Sequence, residues 1–318
     1  MDFFREIWGY KCSTVFIAAW EIGIFDLLFM KERSVKELAE LTESNSQILE
    51  MLIQALVFGG ILEETEEGIK IPPEYIRPLQ QLKKNQNVLS YERNLLNRWN
   101  HPEQVLARLK EAAEKKDCIS DAFTIEEQKD YFAAMNEGNL ELLLIAIRRE
   151  CTISSQTAML EYGRSIGGMS KLCADRWEGI SCDICVDREF EDVSNELYEG
   201  VRGKGGIRIL SEEEWKQNTY DFIFLYNSIH YYQPSDLIEL LEHFYNVLKP
   251  GQVLCISDIY ADEKDVFYAG VLLDWITHGG TNQRTFQELL VLVEQTQFKI
   301  VKTVKLKQIH NRLLFLTK

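Results

Sequence analysis

The chain has 318 residues, 46% of them apolar and 27% charged, enough to bury a full core and to form two domains. Its 50 acidic against 35 basic residues leave a net charge of −15, a field that repels phosphate backbones and anionic bilayers and argues against a nucleic-acid or membrane partner. Seven cysteines scattered from Cys12 to Cys255 do not form the dense framework of a small secreted domain, so free thiols are expected.

The opening MDFFREIWGYKCSTVFIAAW has no basic leader followed by a long apolar core, because Arg5, Glu6, Lys11 and Glu21 interrupt the run, and it reads as cytoplasmic. Residues 13–30 are apolar on most faces and predict one buried helix. SVKELAELTESNSQILEMLIQALVFGG then predicts two amphipathic helices, opened by the capping box Ser34-x-x-Glu37 and stopped at Gly59 and Gly60. ILEETEEGIKI alternates about Glu67-Gly68, as a short hairpin does. Helix, helix, hairpin is a winged helix. Its second helix, over residues 45–58, contains no Lys or Arg. Basic side chains supply most of the affinity of DNA-reading helices, so packing against another subunit or the second domain is the expected role. Residues 76–150 continue in a helical pattern, and the charged RLKEAAEKKD is a solvated face.

From residue 158 short β-like runs alternate with helical ones: AMLEY, ISCDICVD, IRIL, YDFIFLY, QVLCISD, FKIVKTVKL and RLLFLTK. That order predicts a mainly parallel sheet with helices on both faces, and ligands bind such sheets at the carboxyl ends of the strands. The last two runs are joined by too short a segment for a crossover and form an antiparallel pair. Cys182 and Cys185 make a C-x-x-C, but within an apolar strand and with no second pair, so the strand reading is preferred over zinc or redox work. After AMLEY, Gly163, Gly167 and Gly168 bend the chain into a helix and permit close approach to the backbone. Asp187, 24 residues past Gly163, ends the next strand, where a carboxylate can accept both hydroxyls of a ribose. His230 and Asp258 fall at the carboxyl ends of two strands joined by one helix, so they are expected to meet above the sheet, the carboxylate orienting the imidazole.

Taken in order, FIAAWEIGIFDLL, SVKELAE, MLIQALVFGGIL, YFAAMNEGN, LEYGRSIGG, LYNSIHYY, VLKPGQVLCISD and TNQRTFQELL resemble the small-molecule O-methyltransferases that depend on S-adenosylmethionine. The resemblance spans nearly the whole chain and implies a winged-helix dimerisation domain over residues 1–150. It implies a Rossmann-like class I catalytic domain over residues 151–318, with a seven-stranded, mainly parallel α/β sheet. It implies a homodimer, S-adenosylmethionine as cofactor with S-adenosylhomocysteine as product, no metal, and a small aromatic or heteroaromatic acceptor methylated on a hydroxyl. By position, Glu161 helps to hold the methionine end of the cofactor, Gly163, Ser165 and Gly167 stand in the three glycine positions, and Asp187 grips the ribose. Glu212 is the match for the acid near the adenine, and Tyr226 stands where many members have a lysine. His230 matches the general base and Asp258 the carboxylate flanking it.

This chain departs from the family at Ser165, at Tyr231 directly after the base, and at Gln283, which replaces a second flanking carboxylate and cannot stabilise imidazolium by charge. Phe132, Met135, Tyr231, Phe267 and Trp275 are candidates for the acceptor wall, each equally a core residue. His101, His243, His278 and His310 have no comparable setting. The alternative reading is a catalytically silent relative that binds a ligand and regulates; a winged-helix repressor and a nicotinamide-dependent oxidoreductase are disfavoured by the lack of Lys and Arg in the second helix and by the absence of G-x-G-x-x-G.

Overall fold

The computed structural model describes residues 3–84, 124–136, 139–187, 190–198, 206–262, 268, 270–272, 274–275, 282–306 and 309–318. His101, Phe267 and His278 lie outside them. The chain divides into two units, Met1–Leu89 and Ser90–Lys318.

In the first unit the single helix expected over residues 13–30 is two, α1 (Phe3–Glu21) and α2 (Ile24–Met30). They are bent by 64° at Gly23, which adopts φ 84°, a conformation that glycine takes without steric cost. The apolar periodicity continues through the break because both helices bury residues in one core, among them Ala19, Ile24, Phe25 and Leu28. Among the described residues no single helix is long and apolar enough to cross a membrane. Helix α3 (Val35–Leu41) opens with the expected capping box: Glu37 N donates to Ser34 Oγ and Ser34 N to Glu37 Oε2. Helix α4 (Ser46–Phe58) is capped by Asn45, which accepts from the amides of Gln47 and Ile48, and ends at Gly59. The strands β1 (Glu63–Glu64) and β2 (Ile69–Lys70) form the hairpin, and α5 (Pro73–Lys84) follows. Leu49, Ile53 and Leu56 turn inward from α4 while Ile48, Met51 and Phe58 remain exposed.

The second unit contains α6 (Ile125–Asn136) and α7 (Asn139–Glu150), which the sequence pattern alone groups with the helical N-terminal part. Its sheet has the order β5-β4-β3-β6-β7-β9-β8. Strands β3 (Ala158–Gly163), β4 (Ser181–Cys185), β5 (Ile207–Leu210), β6 (Tyr220–Tyr226) and β7 (Leu248–Asp258) pair in parallel, and β9 (Arg312–Thr317) runs antiparallel to β7 and to β8 (Lys299–Lys305). All seven fall on the alternating runs read from the sequence, and Cys182 and Cys185 are buried strand residues. The central strands are near-continuous apolar runs because both faces are covered. The edge strand β8 exposes Lys299, Lys302 and Lys305, charges that discourage pairing with another chain.

The connections α8 (Gly168–Ala174), α9 (Glu191–Tyr198), α10 (Glu212–Trp215), α11 (Pro234–Val247) and α12 (Phe286–Val293) complete the unit. From β3 the chain winds outward through β4 to β5, then returns to β6 beside β3 and winds the other way. The crevice between β3 and β6 is thus the topological switch point, where ligands bind in open parallel sheets. One side of the sheet is packed by Tyr162, Trp215 and Phe244, whose ring centroids lie 5.2–5.9 Å apart. Phe244 is fully buried, so Phe244→Ala is expected to cost about 3–5 kcal/mol, read as a lowered midpoint in chemical denaturation.

Candidate active site

The loop after β3 is organised by Glu161. Its fully buried carboxylate accepts from Gly167 N at 3.0 Å, Met169 N at 3.2 Å and Ser170 N at 2.6 Å. These are the donors that α8 cannot satisfy internally, so the acid braces the loop and caps the helix. Gly163 has φ 104°, and a Cβ there would collide with Ser228 Oγ and the Tyr226 carbonyl. Its bareness is demanded by the neighbouring strand end as well as by any ligand. Gly167 at φ 117° caps α8, and Ile166 at φ 43° shares the left-handed bend. Asn136 Nδ2 donates to the Ser165 carbonyl and Ser194 Oγ to that of Ile166. Ser165 is itself buried, and its Oγ has no hydrogen-bond partner among the described residues.

Across the crevice β6 ends at Tyr226, Asn227 turns with φ 45°, and a single 3-10 turn, Ile229–Tyr231, carries His230. Asp258 at the end of β7 holds that turn from below. Its Oδ2 accepts from Ser228 N at 2.8 Å and Ile229 N at 3.0 Å; its Oδ1 accepts from Ile259 N at 2.8 Å and lies 3.2 Å from His230 Nδ1. The expected meeting of His230 and Asp258 is therefore seen. Arg284, buried, holds the turn from the other side, donating at 2.7 Å to the carbonyls of Ile229 and Tyr232. Asn282 N donates to the His230 carbonyl. The His230 ring stacks on Trp275, centroids 4.3 Å apart and planes 22° apart. Gln283 is exposed and its Oε1 accepts from Tyr268, whose ring meets Trp275 edge-on at 5.9 Å. Gln283 thus reaches the histidine through two rings, whereas the sequence places it beside the base.

Asp187 follows β4 with its side chain 59% exposed, 3.9 Å from the Arg164 guanidinium. The Arg164 guanidinium lies over two rings, 4.6 Å from the centroid of Phe190 and 4.3 Å from that of Tyr231. Burial pushes the Tyr231 phenol above its usual range and Arg164 works against that shift; Tyr131 is raised further, again by burial first. Glu212 heads α10 and pairs with Lys216 at 3.3 Å; it also accepts from Tyr162 OH, which lies 3.2 Å from Tyr232 OH. Burial pushes the Tyr232 phenol up to about 12. Tyr226 is fully buried and donates its hydroxyl to the Met135 carbonyl at 2.8 Å, tying α6 to the strand end. Phe132 is also fully buried, edge-on to Tyr131 and Phe190. Sequence reasoning missed Arg164, Arg284, Tyr131 and Phe190; a cation in a loop of small residues was the readable signal for the first. His243 faces Glu239 on α11 and His310 is exposed, as expected of residues outside the site. Among the described residues no cluster of side chains with metal-ligating chemistry occurs.

No protein-family model and no curated protein matches the sequence. Solved structures do match the fold. An O-methyltransferase family protein from Burkholderia thailandensis aligns over 100% of this chain and 97% of its own, with a TM-score of 0.75 and 13% identity. The pyocyanin biosynthetic protein PhzM aligns over 99% and 97%, with a TM-score of 0.77 and 14% identity. Human N-acetylserotonin methyltransferase in complex with S-adenosylmethionine aligns over 99% and 96%, with a TM-score of 0.73 and 17% identity. The chain has the fold of these methyltransferases from end to end, a Rossmann-like α/β sheet after a mostly helical N-terminal part.

Glu161→Ala strands the three amides of Gly167, Met169 and Ser170 inside the protein and is expected to cost about 3 kcal/mol or more. Denaturant titration of the variant measures the loss, and an unchanged midpoint would remove Glu161 as the brace.

Proposed function

We propose that the chain is an S-adenosylmethionine-dependent methyltransferase acting on a hydroxyl of a small aromatic or heteroaromatic molecule, with His230 as general base. The observation that carries this is the pairing of His230 with Asp258 at the switch point, across the crevice from the half-exposed carboxylate of Asp187. The residues fit an adenosyl cofactor: Asp187 is open to accept ribose hydroxyls, the left-handed Gly163 presents bare backbone, and Ser165 keeps a buried hydroxyl in reserve. Glu212, at the end of the next strand over, stands on the adenine side of that arrangement. When bound, such a cofactor supplies an electrophilic methyl on a sulfonium sulfur.

The chain's own work is to position the acceptor and take its proton. A neutral imidazole that donates from Nδ1 to Asp258 keeps Nε2 as its basic atom. Asp258 then stabilises the imidazolium that forms when Nε2 takes the hydroxyl proton. Trp275 and Tyr231 flank the ring and exclude water from it, and Phe132 and Met135 extend the acceptor wall. A positioned base contributes about 10²–10⁴ in rate, the rest coming from alignment of the reactants. The same reading makes the protein a cytoplasmic homodimer joined through its N-terminal domain, supported by the exposed Ile48, Met51 and Phe58 of α4. A second reading, a silent relative, draws support from Glu161, whose carboxylate is used by the loop itself, and from the uncharged Gln283.

Calorimetric titration with S-adenosylmethionine and S-adenosylhomocysteine separates the two. Binding of both, weakened at least about ten-fold in Asp187→Ala by loss of charge-assisted hydrogen bonds, supports the enzyme. Binding of neither hands the site to the silent relative. His230→Ala is expected to keep cofactor binding while losing about 10²–10⁴ in turnover of an accepted phenol; undiminished turnover would exclude it as the base.

A further inference from the structure

Residues 282–284 bear on the His230 turn in two ways. Asn282 N donates to the His230 carbonyl, and the Arg284 guanidinium donates to those of Ile229 and Tyr232, so the backbone of the turn is held. The side chain between them, that of Gln283, reaches the histidine by another route. Its Oε1 accepts at 3.0 Å from Tyr268 OH, the Tyr268 ring meets Trp275 edge-on with planes 90° apart, and the Trp275 indole stacks on His230. Tyr268 and Trp275 are both helical and seven residues apart, two turns, and so share one helix face. Both rings are buried while Gln283 is exposed.

Asp258 alone leaves the imidazole a degree of freedom. It meets one ring atom, Nδ1, at 3.2 Å, the long end of the hydrogen-bond range, and a ring held at one atom still swings about that contact. A base that takes a proton through Nε2, on the far side of the ring, has to be held to within about 0.5 Å. Tyr231 touches the imidazole at 4.3 Å with its plane tilted by 44°, but as the next residue it travels with the turn. Trp275 comes from a different segment and lies 22° from parallel, so it fixes the plane that Asp258 leaves open. The indole is met in turn by the Tyr268 ring in a preferred edge-to-face contact, and Gln283 holds that ring by its hydroxyl.

We propose that Gln283 and Tyr268 are positioning residues, acting through Trp275 to hold the plane of the His230 imidazole, so that Gln283 orients the base through two rings rather than by charge. The inference deepens the methyltransferase reading, and its kinetic arm rests on that reading.

The test reads the ring and the rate separately in Tyr268→Phe, Gln283→Leu, Gln283→Glu and the Tyr268→Phe/Gln283→Leu double variant, each first shown by thermal melting to be folded. In histidine-labelled protein the His230 ring protons, assigned by their loss in His230→Ala, are followed by NMR and compared at the basic plateau of a pH titration. Stacking on an indole shifts them upfield. Tyr268→Phe and Gln283→Leu are therefore expected to move them downfield by the same amount, and the double variant no further, because both substitutions cut one contact. Gln283→Glu keeps an acceptor oxygen of the same reach and leaves them in place. Turnover is followed with S-adenosylmethionine and whichever of 1-naphthol and 8-hydroxyquinoline the wild type accepts. Tyr268→Phe and Gln283→Leu are expected to lower kcat about ten-fold with KM unchanged, a loss of alignment rather than of binding. His230 resonances unmoved in either variant overturn the inference. So do moved resonances with undiminished kcat, or a loss in Gln283→Leu that Tyr268→Phe does not share. Absence of S-adenosylmethionine binding in wild type overturns the methyltransferase reading instead, and the resonances then decide by themselves whether Gln283 sets the ring.

Discussion

The carboxylate of Asp258 fixes the catalytic end of the sheet. It accepts from two amides of the His230 turn and from its own following residue, and it faces the imidazole. A single 3-10 turn has too few internal hydrogen bonds to hold a side chain in place, so the position of His230 is borrowed from β7. Arg284 supplies the complementary constraint on the carbonyl side. Donors and acceptors of the turn are thus met from opposite directions, by two charged groups of opposite sign. Burial lowers the pKa of Arg284, with Asp258 the largest opposing influence, so the two caps also support one another electrostatically.

The glycine loop follows a similar logic on the other side of the crevice. Glu161 satisfies the first amides of α8, and Gly163 makes room for Ser228 beside the histidine turn. Loop and turn are therefore one packed unit: a side chain at position 163 would push on the residue two before the base. Tyr226 and Asn136 extend this unit to α6. The switch-point crevice is consequently lined by groups whose positions are set by backbone hydrogen bonds, which suits a site that must align two reactants.

Much of the fold is readable from local pattern. The Ser34–Glu37 box, the glycine stop after α4 and the seven strand runs each rest on chemistry within a few residues of chain, and each is observed. Gly23 is the instructive exception. A glycine inside an apolar run carries no periodicity signal when the helices on either side bury into the same core, so the break was hidden. His230 and Asp258 were legible because strand ends joined by one helix converge. Arg284 was not, because it acts on carbonyls more than fifty residues back in sequence and its role lies in the backbone of another segment. Glu161 and Gln283 show a different limit: residue type and position matched a family role, while the hydrogen bonds that each makes here go to the chain itself.

The stacking of His230 on Trp275 has a further consequence. An indole whose face lies against an imidazole has its emission quenched when that imidazole gains a proton, because the cation is a good electron acceptor. The structure therefore couples the charge state of the base to an optical signal native to the chain. Among the described residues Trp275 is the tryptophan stacked on His230, so the protonation history of this histidine is written in fluorescence without any added label.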